Sequence, residues 1–122
     1  MDQGSKVITI VDDDQALLDA IAQLLTADGF AVQAFTSAEA FLDSRAANET
    51  ACLVLDINLG GMSGIELQER LKAEGSQLPV IFMTGADDDA MRKQATDVGC
   101  AAFLRKPFAP RLLTDAIAKA VG

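Results

Sequence analysis

Short apolar runs alternate with longer amphipathic segments along the whole chain. Each run has four to six residues, which is typical of strands buried in a parallel sheet. The runs occupy Val7–Val11, Phe30–Phe35, Cys52–Leu55, Val80–Met83 and Ala101–Leu104. The second run alternates only loosely between apolar and polar residues, which predicts a strand near an edge of the sheet.

The first two amphipathic segments predict helices from their capping residues and apolar spacing. Asp12 or Asp14 can cap a helix over about Gln15–Ala27. Its apolar stripe consists of Leu17, Leu18, Ile21, Leu24 and Leu25. Thr36–Glu39 has the pattern of a capping box and is predicted to open a short helix that continues through Ala46.

Three more helices are predicted in the second half of the chain. One begins at Ser63 and ends at Gly75, and its inward-facing residues are Ile65, Leu67 and Leu71. Asp87–Asp89 place negative charge in the first turn of the next helix, which the helix dipole favours, and Gly99 ends that helix. The last helix covers about Ala109–Val121. Its predicted stripe consists of Leu112, Leu113, Ile117 and Val121.

This alternation of strands and helices predicts an α/β fold. Right-handed crossovers would place helices on both faces of a parallel five-stranded sheet, giving a doubly wound (βα)5 sandwich of three layers. The 122 residues suit one domain, and the sequence contains no linker, repeat or low-complexity tract. We therefore expect residues 1–122 to form a single domain without an effector domain.

Composition and charge exclude several classes of function. The net charge of -8 argues against direct nucleic-acid binding, which depends on Lys and Arg neutralising phosphates. The apolar runs are far shorter than the roughly 18 residues of a membrane span, and the first residues lack signal-peptide features. The two cysteines, Cys52 and Cys100, form no CxxC motif, so a cytoplasmic location is expected. The chain has no histidine, which excludes phosphohistidine chemistry on the chain itself.

Chemically active side chains stand at the carboxyl ends of four predicted strands. Asp12 and Asp13 follow the first run, Asp56 the third, Thr84 the fourth and Lys106 the fifth. In a parallel α/β sheet these ends share one edge, where ligands bind at the topological switch point. The pattern therefore predicts one acidic pocket with a hydroxyl and an ammonium group beside it.

Most of these residues also have an ordinary structural explanation when they are taken alone. The first carboxylates can cap a helix, Thr84 can end a strand, and Lys106 can be a solvated surface lysine. Asp56 is different, because a carboxylate at the end of a buried strand requires a partner, a cation or a site. Their joint placement at one edge favours a functional site.

The charges in the predicted pocket favour a divalent cation. The carboxylates of Asp12, Asp13 and Asp56 together carry about -3 and repel one another at close range. A divalent ion and Lys106 together supply about +3, and a set of oxygen ligands suits Mg²⁺ better than Zn²⁺. An ionised aspartate in this setting can accept a phosphoryl group to form an aspartyl phosphate.

Five short motifs occur together in this order: Val11–Asp14, Leu55–Asn58, Gly61–Gly64, Met83–Gly85 and Phe103–Phe108. In this combination and spacing, the chain resembles the receiver domain of two-component response regulators over essentially its whole length. The resemblance implies a flavodoxin-like fold with the strand order 2-1-3-4-5, which agrees with the fold predicted above.

The resemblance also implies a role for each acidic residue. Asp56 would accept the phosphoryl group. Asp13, Asp56 and the backbone carbonyl of Asn58 would bind Mg²⁺ or Mn²⁺, with Asp12 acting largely through water. The domain would be a signalling switch rather than an enzyme, although it would catalyse its own phosphorylation and a slow dephosphorylation.

The remaining implied roles concern the response to phosphorylation. Thr84 would donate a hydrogen bond to the phosphoryl oxygen and Lys106 would pair with it, while Phe103 fills the position of the aromatic switch residue. A cis peptide bond is expected between Lys106 and Pro107. The implied partners are a sensor histidine kinase or phosphotransfer protein, and a homodimer through the fourth helix, fifth strand and fifth helix.

One departure from the family pattern and two alternative functions stay open at the level of sequence. Gly60 and Gly61 stand where the family commonly has Pro-Gly, which leaves the loop after the acceptor more conformational entropy to lose. Asp56-x-Asn58 is similar to the nucleophile motif of haloacid dehalogenase-type phosphatases, but an amide replaces the second aspartate. A flavodoxin-like electron carrier shares the topology, yet the chain lacks the Trp or Tyr on which a flavin usually stacks.

Overall fold

A parallel five-stranded sheet lies at the centre of the molecule. The computed structural model describes residues 6–85 and 89–122. The strands are β1 (Val7–Val11), β2 (Ala31–Phe35), β3 (Cys52–Asp56), β4 (Val80–Thr84) and β5 (Ala102–Arg105). They are ordered β2-β1-β3-β4-β5 and every pair is parallel, which confirms the predicted topology.

In the described residues, four α-helices and one short 3₁₀ helix connect the strands, and a fifth α-helix follows β5. The helices are α1 (Gln15–Ala27), α2 (Ala38–Ser44), α3 (Gly64–Ala73), α4 (Asp89–Val98) and α5 (Pro110–Val121), with the 3₁₀ helix at Ala46–Glu49. The strands begin or end within one residue of the predicted bounds. Asp87 and Asp88, which were assigned to the start of the fourth helix, lie outside the described residues, and Asp89 is the first residue of α4.

The sheet separates two apolar cores, because successive side chains of a strand point to opposite faces. On one face, alternate residues of β3 such as Leu53 and Leu55 pack with residues of α2, α3 and α4. On the other face, Cys52 and Val54 pack with residues of α1 and α5. All five residues of β3 are buried, so this strand is the centre of a three-layer sandwich.

The observed caps explain where the helices next to the candidate site begin. Asp14 caps α1 by accepting a hydrogen bond from the Leu17 amide at 3.2 Å, so Asp12 is left for another role. Ser63 caps α3 through a complete capping box with Glu66. Each cap lies at the end of the loop that follows a strand carrying candidate site residues, which helps to fix these loops at the carboxyl edge of the sheet.

The predicted capping box at the start of α2 is wrong. Ser37 rather than Thr36 is the N-cap, and its hydroxyl accepts a hydrogen bond from the Ala40 amide at 3.0 Å. The Glu39 carboxylate accepts a hydrogen bond from the Met62 amide instead. The helix also ends earlier than predicted, since Arg45 takes the left-handed conformation that ends helices.

The predicted apolar stripe of α5 is too wide. Leu113 and Ile117 are buried, but Leu112 is 53% exposed. Consecutive residues of an α-helix differ by about 100° in direction, so Leu112 points away from the core that Leu113 enters. None of the helices in the described parts of the chain has the length and apolar character needed to cross a membrane.

Candidate functional site

The predicted site residues converge at the carboxyl edge of the sheet. Asp12 directly follows β1, Asp56 ends β3, Thr84 ends β4, and Lys106 directly follows β5. β1 and β3 are neighbours, yet the chain leaves β1 for β2 on the other side, so the edge between them is a topological switch point.

Lys106 contacts the carboxylates of both Asp12 and Asp56. Its Nζ lies 2.7 Å from Oδ2 of the fully buried Asp12 and 3.5 Å from Oδ2 of Asp56. Burial disfavours the ammonium ion, but the hydrogen bond to Asp12 and the charge of Asp56 outweigh it, so the pKa of Lys106 lies above its ordinary value. Lys106 is therefore a partly buried, charged partner of Asp12 and not a freely solvated lysine.

Asp56 is the less well compensated of the two buried carboxylates. Its Oδ1 accepts a hydrogen bond from the Asn58 amide at 3.1 Å, and its side chain is almost inaccessible. Burial and the charge of Asp12 raise the pKa of Asp56, although the bonds from Asn58 and Lys106 act in the opposite direction. The ionised form of Asp56 thus lacks a full countercharge in the described site.

A third carboxylate completes a group that can hold a cation. Oxygen atoms of Asp12, Asp13 and Asp56 all lie within 4.8 Å of one another, and Asp13 is the exposed member. One ammonium ion cannot neutralise three carboxylates, and oxygen donors with one side open to solvent match the preferences of Mg²⁺. The residues present therefore fit a hard divalent cation, by the charge balance and by the donor set.

The Thr84 hydroxyl connects the site to the fourth helix. It is buried, and it lies 2.9 Å from Asn58 Oδ1 and 3.3 Å from Met91 Sδ, either of which can accept its one hydrogen. The contact with Asn58 was not predicted, because the sequence shows no link between residues 26 positions apart on different loops. Thr84 is thus a contact between β4, α4 and the loop that follows Asp56.

Phe103 and Lys106 take up the positions at β5 that the motifs predict. Phe103 is half-buried, and the Arg92 guanidinium of α4 lies 4.7 Å from the centre of its ring. The distance is that of a cation–π interaction. The Lys106–Pro107 peptide bond is cis, as predicted.

Residues 8–118 of the chain match the model of the response regulator receiver domain. The chain belongs to this family. It is 38% identical over 121 residues to the response regulator protein TodT of Pseudomonas putida, an overlap of 99% of this chain and 53% of TodT. It is 40% identical over 114 residues to the transcriptional regulatory protein FixJ of Bradyrhizobium diazoefficiens, an overlap of 93% and 56%.

Solved structures give the same result for the fold. The response regulator StyR superposes with a TM-score of 0.89 at 39% identity, covering 96% of this chain and 59% of StyR. The crystal structure of FixJ-N superposes with a TM-score of 0.85 at 36% identity, covering 95% and 93%. This receiver domain spans about half the length of the curated relatives it matches. Family membership decides among the three functions left open by the sequence in favour of a signalling domain of two-component systems.

Proposed function

We propose that this receiver domain is a phosphorylation-dependent switch in which Asp56 is the phosphoacceptor. The observation that carries the proposal is the position of the Asp56 carboxylate, which lies 3.5 Å from Lys106 Nζ and has an oxygen within 4.8 Å of oxygens of Asp12 and Asp13. Asp12 is already bound tightly by Lys106, whereas Asp56 makes the longer contact. Asp56 therefore has an oxygen that is better able to attack phosphorus.

The proposed cofactor is Mg²⁺, or Mn²⁺ in its place. Asp13, Asp56 and the backbone carbonyl of Asn58 would hold the ion, with Asp12 contributing through water. The ion would supply positive charge to the oxygens of the transferred phosphoryl group, which is the main requirement of phosphoryl transfer. Support comes from the three neighbouring carboxylates, of which Asp12 and Asp56 share the ammonium group of Lys106.

The proposed phosphodonor is a phosphohistidine. It would belong to a sensor kinase or a phosphotransfer protein, because this chain has no histidine of its own. A carboxylate oxygen of Asp56 forms a bond to phosphorus while the bond from phosphorus to the donor's imidazole nitrogen breaks. The nitrogen keeps the electron pair of that bond and is protonated from water. Lys106 remains charged and pairs with the transferred phosphoryl group.

The proposed response starts from the charge that phosphorylation adds. Converting the carboxylate to a phosphoryl group carrying about -1.5 to -2 leaves a surplus near -1 in the site. The Thr84 hydroxyl would then turn from Asn58 and Met91 towards the phosphoryl oxygen, and Phe103 would move into the space behind it. The α4-β5-α5 surface (residues 89–98, 102–105 and 110–121) would change and control a partner, an output domain or a second copy of the chain.

Intact-mass measurement tests the proposed phosphoacceptor. Incubation with acetyl phosphate and Mg²⁺ should add one phosphoryl group to the wild-type chain, and EDTA should prevent it. Asp56→Asn should remain unmodified because an amide is not a competent nucleophile, whereas Asp43→Asn, a change at an exposed position of α2, should be modified like the wild type. A phosphoryl adduct that persists in Asp56→Asn contradicts the proposal.

A further inference from the structure

The segment between β3 and α3, residues 57–63, carries the Asn58 carbonyl and is held at both of its ends. At one end the Ile57 amide donates to the Met83 carbonyl oxygen of β4 at 2.9 Å. At the other end the Gly64 amide donates to the Ile57 carbonyl oxygen at 3.0 Å, and Ser63 caps α3. We call residues 57–63 the acceptor loop.

Glu39 ties the C-terminal part of the acceptor loop to α2. Its Oε2 accepts a hydrogen bond from the Met62 amide at 2.9 Å, across 23 residues of sequence. Hydrogen bonding to Met62 lowers the pKa of Glu39, so its carboxylate is charged at neutral pH. A charged acceptor makes a stronger bond to a backbone amide than a neutral one.

The helix that carries Glu39 is itself firmly placed. Ala38 and Phe41, on either side of Glu39 in α2, are fully buried in the core, and Ser37 caps the helix. Glu39 therefore extends from a fixed backbone, and its hydrogen bond can restrain the loop rather than follow it.

The acceptor loop needs such a restraint because its own sequence is flexible. Gly60 and Gly61 are adjacent, and two glycines in a row leave the unrestrained loop a large conformational entropy. Gly61 has a φ of +78°, and a Cβ there would lie 2.8 Å from Glu39 Oε2. The bare backbone of Gly61 thus lets the carboxylate reach the Met62 amide.

We propose that Glu39 is a positioning residue for the phosphorylation site, because its carboxylate holds the acceptor loop in the conformation that presents the Asn58 carbonyl to the metal. The inference rests on the proposed function, since it assigns Glu39 a part in binding the proposed Mg²⁺. The Glu39 hydrogen bond would limit the conformations of the acceptor loop, as the stiffness of a proline at position 60 would. The carboxylate acts through the loop and not through contact with the reacting atoms.

Three substitutions of Glu39 separate its reach from its charge. Glu39→Gln keeps the length and one oxygen acceptor, Glu39→Asp keeps the charge but is about 1.5 Å shorter, and Glu39→Ala removes both. Hydrogen exchange of the Met62 amide in metal-free protein reports the tether. Titration with Mg²⁺ alone reports the metal site. The NMR shifts of the Asp13 and Asn58 amides during the titration give the Mg²⁺ affinity.

We expect Met62 protection to be lost in Glu39→Asp and Glu39→Ala and partly kept in Glu39→Gln. Mg²⁺ binding should weaken most in Glu39→Asp and Glu39→Ala and less in Glu39→Gln. For Glu39→Ala we expect an affinity loss of about tenfold, which is the low end for residues that orient metal ligands. Asp43→Asn serves as the charge control on the same helix and should match the wild type. If instead Glu39→Asp binds Mg²⁺ like the wild type while Glu39→Gln binds like Glu39→Ala, the residue acts by charge alone and the inference is wrong.

A second variant tests the same idea in the opposite direction. A Cβ at position 60 would meet no atom within 4 Å, and Gly60 is not among the residues with positive φ, so two requirements for a proline there are met. Glu39→Ala combined with Gly60→Pro should regain most of the Mg²⁺ affinity while Met62 stays unprotected. Unchanged Mg²⁺ binding in Glu39→Ala would overturn this inference alone, whereas a wild-type chain that binds no Mg²⁺ would overturn the proposed function together with it.

Discussion

The two buried carboxylates of the site differ because they share a single ammonium group unequally. Asp12 lies 2.7 Å from Lys106 Nζ, and its other oxygen accepts the Asp14 amide at 2.9 Å, so both of its oxygens are bound. Asp56 lies 3.5 Å from the same nitrogen. At this scale the structure predicts opposite effects for the same chemical change, since removing a charge from Asp12 breaks a close pair whereas removing one from Asp56 relieves repulsion.

We expect Asp56→Asn to raise the melting temperature in EDTA and Asp12→Asn to lower it. The rise for Asp56→Asn should be roughly 2–6 °C, which corresponds to ~1 kcal/mol in a domain of this size. Asp13→Asn should give a smaller rise because Asp13 is exposed. Adding Mg²⁺ should stabilise the wild type more than either Asp13→Asn or Asp56→Asn. Thermal unfolding followed by circular dichroism measures all of these, and an Asp56→Asn chain that melts below the wild type in EDTA would show that Asp56 is a structural partner.

The difference in stability between Asp56→Asn and the wild type should also depend on pH. Burial and Asp12 raise the pKa of Asp56 above 3.8, so the folded chain holds the Asp56 proton more tightly than the unfolded chain. The stability contributed by that proton is present below pH 3.8 and is lost as the pH rises through the higher folded pKa. The advantage of Asp56→Asn in EDTA should therefore be full at pH 7 and shrink towards pH 4. Urea unfolding at several pH values checks this, and an advantage that grows on acidification would contradict it.

Thr84 contacts three other elements, two through its hydroxyl and one through its backbone carbonyl, so we expect it to connect the site to the surface. It contacts Asn58 in the acceptor loop and Met91 in α4, and the Lys106 amide after β5 donates to the Thr84 carbonyl oxygen at 2.7 Å. Arg92, next to Met91, covers the Phe103 ring of β5. A rotation of Thr84 therefore disturbs α4 and β5 together.

Thr84→Ala should separate phosphorylation from the response to it. The variant should still take up one phosphoryl group at Asp56, because Thr84 neither attacks phosphorus nor belongs to the acidic group. In the wild type, phosphorylation should shift amide resonances from α4 to α5, whereas in Thr84→Ala the shifts should stay near Asp56. Thr84→Ser keeps the hydroxyl and is the matched control. Equal shift maps for wild type and Thr84→Ala would mean that Thr84 merely ends a strand.

The sequence predicts an element best when the residues of that element alone determine its structure. The bounds of β3 are predicted to within one residue because a four-residue apolar run is too short for a helix and is typical of a strand buried on both faces. The start of α2 was predicted wrongly, because Glu39 could bond locally to its own helix or to the distant Met62 amide, and tertiary structure decides between them. The residues of the acidic group could be found from strand ends, but the contact between Thr84 and Asn58 could not, since it depends on how two loops lie side by side.

At the scale of the whole molecule, the acidic site and the α4-β5-α5 surface lie at different edges of the sheet. The acidic site opens at the carboxyl edge, while α4, β5 and α5 form one continuous side of the sandwich. On that side Leu112 is exposed next to a hollow of about 460 Å³. Small side chains line much of the hollow, among them Ala101, Ala102, Ala116 and Ala120. Leu112, Asp115 and Lys119 also line the hollow. The patch therefore offers an apolar side chain, an apolar recess and two opposite charges, and a twofold symmetric contact would pair it with the same patch of a second copy.

We therefore expect phosphorylation to promote a homodimer through this side, and Leu112→Glu to prevent it. Sedimentation with acetyl phosphate and Mg²⁺ should show association of the wild type, whereas Leu112→Glu should stay monomeric although its intact mass shows normal phosphorylation. Gln23→Glu adds the same charge on the exposed face of α1 and should associate like the wild type. Each copy carries a net charge of -8, so added salt should strengthen an apolar contact by screening the repulsion. Association that survives Leu112→Glu, or that weakens as salt is added, would mean that the two copies meet through another surface.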